Sequence, residues 1–249
     1  MTWKAIPISA GPPTHEAIAE LVQRLEMLRT EDPKSSDCEP ALGCNLSISW
    51  PAFMNVTDSM RKMQFSPMTT LASFATSPLT VAADANYQAR CDISVMTNAE
   101  VDFVVDSWLE LILEEAAYGA VWPRSSTRGL IAQRVVKWLD DSAVFVPVAR
   151  LGGIPVGFSA AHTLAPDDQL YRRVAVGSAW YADAAFVLQS HRKSGIGHDL
   201  AMSVRQKVVN SGRSDLLLHY SEGSPISGPF WRSLGARPRW ISWWRDATW

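Results

Sequence analysis

The chain has 249 residues, of which 47% are hydrophobic and 19% charged, with a formal net charge of -2. This is the composition of a soluble folded protein, long enough for one large domain or for a domain of roughly 150 residues with an extension. The near-neutral charge excludes a general phosphate-tracking surface, so nucleic acid is not favoured as a partner, and no apolar run of about 20 residues points to a membrane.

Cys38, Cys44 and Cys91 form an odd set without zinc-site spacing, and no secretory signal is evident. The expectation is a reduced, cytoplasmic protein with no metal. Four of eleven tryptophans, Trp240, Trp243, Trp244 and Trp249, fall in the last ten residues, as expected of a C-terminal strand packed into an aromatic cluster.

In chain order, residues 14–29 set Ile18, Leu21, Val22, Leu25 and Leu28 on one stripe, with Thr14 placed to cap an amphipathic helix. From about 31 to 90, prolines, serines and threonines break every periodicity, and only ALGCNLSISW and TTLASFA look locally ordered. Residues 1–90 thus read as a poorly defined extension.

The pattern sharpens after 90. CDISVM alternates like a short strand, and Thr97 with Glu100 makes a capping box that opens a helix with the stripe Val101, Val104, Val105, Trp108, Leu111, Ile112. A second helix is predicted at about 126–140. AVFVPVARL and PVGFSAAHTL then form a hairpin joined through GGI, and VAVGSAWYADAAFVL is the candidate central strand. Beyond HRKSGIGHDL, Leu200, Val204 and Val208 mark a helix stopped by NSG; DLLLHY, GPFWRSLG and RWISWW follow as strand, short helix and last strand.

The turn HRKSGIGHDL, residues 191–200, carries the chemistry. A helix N-terminus exposes unpaired amides and partial positive charge, and glycines at 195 and 197 let the backbone close on an anion. A Walker loop would need Gly-Lys-Ser/Thr, and a dinucleotide fingerprint would need glycine where Leu200 stands; neither fits. Glycines present for steric reasons alone are the other reading of the bare motif.

Arg192, Gly195 and Gly197 match the acyl-CoA pyrophosphate loop of the GCN5-related N-acetyltransferases (GNAT), and residues 90–246 resemble that superfamily. The order β, α, α, β, β, β, α, β, α, β and the block GSPISGPFWRSLGARP carry the likeness further. It implies an α/β fold with a mixed sheet: an acyl-CoA N-acyltransferase domain over 91–249 behind the extension 1–90.

The resemblance implies acetyl-CoA as co-substrate, its pantetheine arm paired to the backbone of Phe186, Val187 and Leu188 and its pyrophosphate on the amides of Arg192, Lys193, Ser194, Gly195, Ile196 and Gly197, with Phe230 beside them. The Leu188 amide is the expected donor to the thioester carbonyl. Asp183 is the implied base for a small-molecule or peptide amine, and Glu222 is the alternative carboxylate. Where the superfamily commonly carries an acidic tyrosine this chain has Trp231, whose indole is no acid at neutral pH, so Tyr220 or Ser224 is the substitute and Tyr181 a further candidate. His219 reads as a core histidine, while His191 and His198 flank the loop. The expected activity is acetyl transfer to a primary amine by direct attack; the alternative is a non-catalytic interaction or assembly protein of the same fold. A homodimer through the Trp-rich end is the expected assembly.

Overall fold

The computed structural model describes residues 14, 16–20, 23, 43–75, 90–165, 168, 170 and 179–246. The chain divides into two compact units, residues up to Thr70 with those from Pro238 onward, and Leu71–Arg237.

In the first unit, β1 (Gly43–Ser49) pairs antiparallel with β9 (Arg237–Asp246), Gly43 opposite Asp246 and Ser49 opposite Trp240. Alternation turns Leu46 and Ile48 from one strand, Ile241 and Trp243 from the other, into one core, where Val56, Met60 and Phe65 join them. Trp243 is wholly buried there. The helix α1 (Trp50–Lys62), opened by a proline in its first turn, was not expected from the sequence: Asn55, Thr57, Asp58 and Ser59 are weak helix formers that blur its stripe. Of the helix expected at 14–29, residues 16–20 and 23 are helical and the Thr14 hydroxyl accepts from the Ala17 amide at 3.2 Å; the remaining residues lie outside the described set.

β2 (Ser66–Ala75) crosses the division at Thr70, so both stretches that looked locally ordered before residue 90 contain strands. The second unit continues with β3 (Asp92–Val95), α2 (Val101–Ala116), α3 (Thr127–Trp138), β4 (Val144–Phe145), β5 (Pro147–Leu151), β6 (Ile154–Thr163), β7 (Ala179–Val187), α4 (Ile196–Asn210), β8 (Asp215–Ser221) and α5 (Ser227–Ser233). Five strands lie side by side as β8-β7-β6-β5-β3, and β4 also pairs with β6. The β7–β8 pairing is parallel and the others are antiparallel, so the sheet is mixed. Residues 174–178 of the expected central strand lie outside the described set.

Local chemistry explains these elements. Thr97 donates its amide to Glu100 Oε2 at 2.8 Å, closing the expected capping box over a 3-10 turn that leads into α2. Burial opposes ionisation of Glu100, but the Thr97 amide, Arg150 and the Thr97 hydroxyl outweigh it and hold the carboxyl below its ordinary value. Between β5 and β6, Gly152 and Gly153 both take positive φ (56° and 81°), the turn that two-residue hairpins require.

Helices cover both faces of this sheet. On one face Val104, Val105, Ile131, Val135 and Trp138 of α2 and α3 pack on Phe158, Ala160, Ala184 and Phe186. Across the sheet, Ala201, Val204 and Val208 of α4 pack on Ala161, Trp180, Ala182, Leu216 and Leu218. Trp108 and Trp138 stack at 4.8 Å and 16°, locking α2 to α3.

Candidate active site

The register between β6 and β7 slips once. Ala160 faces Ala184 and Ala161 faces Ala182, so Asp183 is the extra residue of a β-bulge. Bulging puts Asp183 and Ala184 together on the α2/α3 face instead of on opposite faces. At the same level β7 leaves β8: their parallel pairing runs from Ala179–Asp215 to Ala182–Leu218 and stops, while β7 stays paired to β6 up to Val187. A wedge therefore opens between β7 and β8, with the β7 backbone from Asp183 onward along one side.

Ladder alternation decides which groups line that wedge. The Leu188 amide donates to the Val156 carbonyl at 2.9 Å, on the β6 side. The Phe186 carbonyl also faces β6, lying 2.8 Å from where a Cβ on Gly157 would stand. Val187 alternates with them, and its carbonyl accepts from Arg192 Nε at 2.9 Å. The Leu188 amide, expected to face the thioester carbonyl, is paired to β6, and by alternation Val187 and Ala185 face the open edge.

The turn after β7 has the geometry of an anion cradle. Lys193 (φ 62°) and Gly195 (φ 92°) are left-handed, and α4 begins directly behind them. The first helical bond runs from the Asp199 amide to the Gly195 carbonyl, and the amides of Ser194, Gly195, Ile196 and Gly197 have no acceptor among the described residues. A Cβ on Gly197 would meet the Phe230 ring at 3.4 Å, so Phe230 stands against the turn.

Arg192 does not point its charge into the cradle. Its Nη2 donates to both carboxylate oxygens of Glu114 on α2, at 2.7 and 2.9 Å, and its guanidinium lies 5.3 Å from the Phe186 ring centre. Its side chain therefore fastens the turn to β7 and α2. A cation does reach the turn from elsewhere: Arg90 Nη1 donates to the Ser194 carbonyl at 2.9 Å, and its backbone amide donates to Asp199 Oδ2 at 2.8 Å. Asp199 is buried in the first turn of α4 and also faces the Cys91 thiol, which burial and that carboxylate push up to about 11. Sequence reading missed Arg90 because no local pattern links positions 104 residues apart.

On the α2/α3 face a polar group surrounds the bulge. Asp183 Oδ1 accepts from Arg134 Nη2 at 2.6 Å, and Oδ2 pairs with His162 Nδ1 at 2.5 Å. Arg134 lies 5.7 Å from the ring centres of both Trp108 and Trp138. Tyr181 meets the His162 ring edge-on, and its hydroxyl pairs with His219 Nδ1 at 2.9 Å. Burial pushes the Tyr181 hydroxyl above its ordinary range; Asp183 and Asp168 add to the rise and Arg134 opposes it. Arg134 and His162 were not singled out from the sequence.

The remaining expected residues are not brought to Asp183. Tyr220 belongs to the core on the α4 face, and its hydroxyl accepts from Arg232 at 3.3 Å. Ser224 is buried and caps the chain ahead of α5, its Oγ accepting from the amides of Ile226 and Ser227 at 3.4 and 3.1 Å. Trp231 is packed in the same core as Tyr220. Glu115, in the last turn of α2, faces the hydroxyls of Ser221 and Ser227; burial raises its carboxyl, the two hydroxyls oppose the rise, and Glu114 adds to it. Among the described residues no group of three or more His, Cys, Asp or Glu could hold a metal ion, and no helix is long and apolar enough to cross a membrane.

No family model matches the chain and no curated protein matches it. Solved structures do. A GCN5-related N-acetyltransferase from Kribbella flavida superposes on 96% of this chain and 80% of its own, with a TM-score of 0.52 and 13% identity. A functionally unknown conserved protein from Staphylococcus epidermidis ATCC 12228 does so over 94% and 81%, also with a TM-score of 0.52 and 13% identity. The chain has the fold of the GNAT superfamily.

Proposed function

We propose that the protein is an acyl-CoA-dependent N-acyltransferase that moves acetyl from acetyl-CoA to a primary amine by direct attack. The observation that carries this reading is the wedge between β7 and β8 ending on a turn and helix N-terminus where the amides of Ser194, Gly195, Ile196 and Gly197 have no acceptor among the described residues. An extended, amide-bearing pantetheine arm suits the unpaired edge of β7, and a pyrophosphate suits the amides of Ser194 to Gly197. In this reading the Val187 amide polarises the thioester carbonyl, since a donor aimed at developing negative charge does most where water is excluded.

The acceptor amine comes from the α2/α3 face, where Trp108, Trp138 and the bulge stand together. Its nitrogen attacks the acetyl carbon, the C–S bond breaks, and the thiolate takes a proton from solvent. The other route is through Tyr220 or Ser224, the substitutes for the tyrosine that Trp231 replaces. Tyr220→Phe and Ser224→Ala separate the two: unchanged turnover in both leaves solvent as the source.

The second reading, a non-catalytic protein of this fold, is favoured by Trp231, which is 8% exposed and has no acidic proton where a tyrosine is expected. A thiol-release assay with acetyl-CoA and spermidine, kanamycin or a peptide with a free N-terminus divides the readings. Release above the acetyl-CoA hydrolysis rate supports the transferase; binding without release supports the second. The homodimer is proposed on the Trp-rich end, and light scattering tests it: a monomer mass removes it.

A further inference from the structure

We propose that His162 is the general base for the acceptor amine, and that Asp183 is a positioning residue that orients it. The inference rests on the acyltransferase reading and deepens it, because it replaces the carboxylate that the family resemblance implies as base.

Both oxygens of Asp183 are engaged, one by Arg134 at 2.6 Å and the other by His162 at 2.5 Å. To accept a proton this carboxylate would have to give up a charged partner. Exposure points the same way: the Asp183 side chain is 7% exposed and the His162 side chain 26%, so a substrate nitrogen meets the imidazole first. A carboxylate only accepts hydrogen bonds, so Nδ1 of His162 carries the hydrogen, and in the neutral ring Nε2 carries the lone pair. Nε2 has no partner among the described residues. A carboxylate fixing the tautomer of an imidazole whose far nitrogen is open is the arrangement that orients a base in nucleophilic catalysis generally.

The position suits the role. His162 lies on β6 opposite Tyr181 of β7, beside the bulge and next to the point where β7 and β8 part. Its titratable and charged surroundings are Asp183 and Tyr181 on β7, Arg134 reaching in from α3, His219 on β8 behind the Tyr181 hydroxyl, and Asp168, whose charge acts on Tyr181. In the step, Nε2 takes one proton from the acceptor ammonium. The freed lone pair forms the C–N bond to the acetyl carbon while the C–S bond breaks, the second nitrogen proton passes to solvent, and the thiolate is protonated to CoA.

The test compares wild type, His162→Gln and Asp183→Asn by thiol release across pH, with acetyl-CoA affinity measured in parallel. His162→Gln is expected to lower kcat by about 10²–10⁴-fold at unchanged acetyl-CoA affinity and to abolish the acidic limb of the pH profile. Asp183→Asn should weaken turnover while keeping an acidic limb, moved in pH. An active wild type whose His162→Gln variant keeps both rate and limb overturns the inference alone; a wild type that releases no thiol with any of the three amines overturns the acyltransferase reading and the base assignment with it. Nitrogen-15 NMR of the His162 ring gives a readout independent of turnover: an Nδ1–H tautomer in wild type that is lost in Asp183→Asn supports the pair, and an Nε2–H tautomer in wild type contradicts it.

Discussion

Arg192 gives one guanidinium nitrogen to both carboxylate oxygens of Glu114, at 2.7 and 2.9 Å, and a second to the Val187 carbonyl at 2.9 Å. The head of the turn after β7 is thus tied at once to the strand it leaves and to α2. A lysine keeps the charge but has no fork to make both bonds. Arg192→Lys is therefore expected to behave nearly as Arg192→Ala: a loss of about 1 kcal/mol, since the pair is partly exposed, and faster amide exchange over residues 188–197. Urea unfolding and hydrogen–deuterium exchange check this; wild-type protection in the lysine variant would show that charge alone holds the turn.

Gly195 meets two separate constraints. Its φ of 92° is strained for any L side chain, and a Cβ there would fall 1.4 Å from Arg90 Nη1. Gly195→Ala is expected to lose about 1–3 kcal/mol of stability and to displace Arg90 from the Ser194 carbonyl. Removing the guanidinium first, with Arg90→Ala, should relieve the steric part and leave the backbone part. Fully additive losses in the double variant would contradict the contact.

Glu115 makes stability depend on pH in a definite direction. Burial raises its folded-state value above the 4.5 of an ordinary glutamate, so between the two values the folded chain binds more protons than the unfolded one. Its contribution is complete below about 4.5 and is lost as pH rises through the raised value. Glu115→Gln removes this dependence, so the stability difference, variant minus wild type, should increase as pH rises from 4.5 towards neutrality. A difference that is flat or falls over that range in urea titrations would show that the carboxyl is not raised.

Much of the fold is legible in residue patterns because local rules and burial agree there. Thr97 and Glu100 announce the start of the first helix of the second unit, Gly152 and Gly153 a tight hairpin, and the spacing of Leu200, Val204 and Val208 one buried face of α4. The turn after β7 is legible for the same reason: its left-handed Gly195 and the start of α4 need particular residue types at fixed local spacing. What escapes is set by register and by long-range approach. That Leu188 spends its amide on Val156 follows from how β6 and β7 pair. That Asp183 reaches His162 and Arg134 follows from a one-residue bulge and from the packing of α3, and neither leaves a mark in composition. Tyr220 illustrates the converse: a plausible residue type at a plausible distance along the chain lies on the other face of the sheet, because a strand turns alternate side chains to opposite sides.

The wedge and the turn behind it are proposed to hold acetyl-CoA, and calorimetric titration of acetyl-CoA into wild type and Gly197→Glu is the test of that proposal. A glutamate at 197 would press on the Phe230 ring, from which even a Cβ stands only 3.4 Å, and would set a negative charge among the amides of the anion turn. Saturable binding to wild type and at least tenfold weaker binding to the variant, a loss of about 1.4 kcal/mol or more, are expected with the variant still folded. Wild type binding no tighter than folded Gly197→Glu would contradict the proposal.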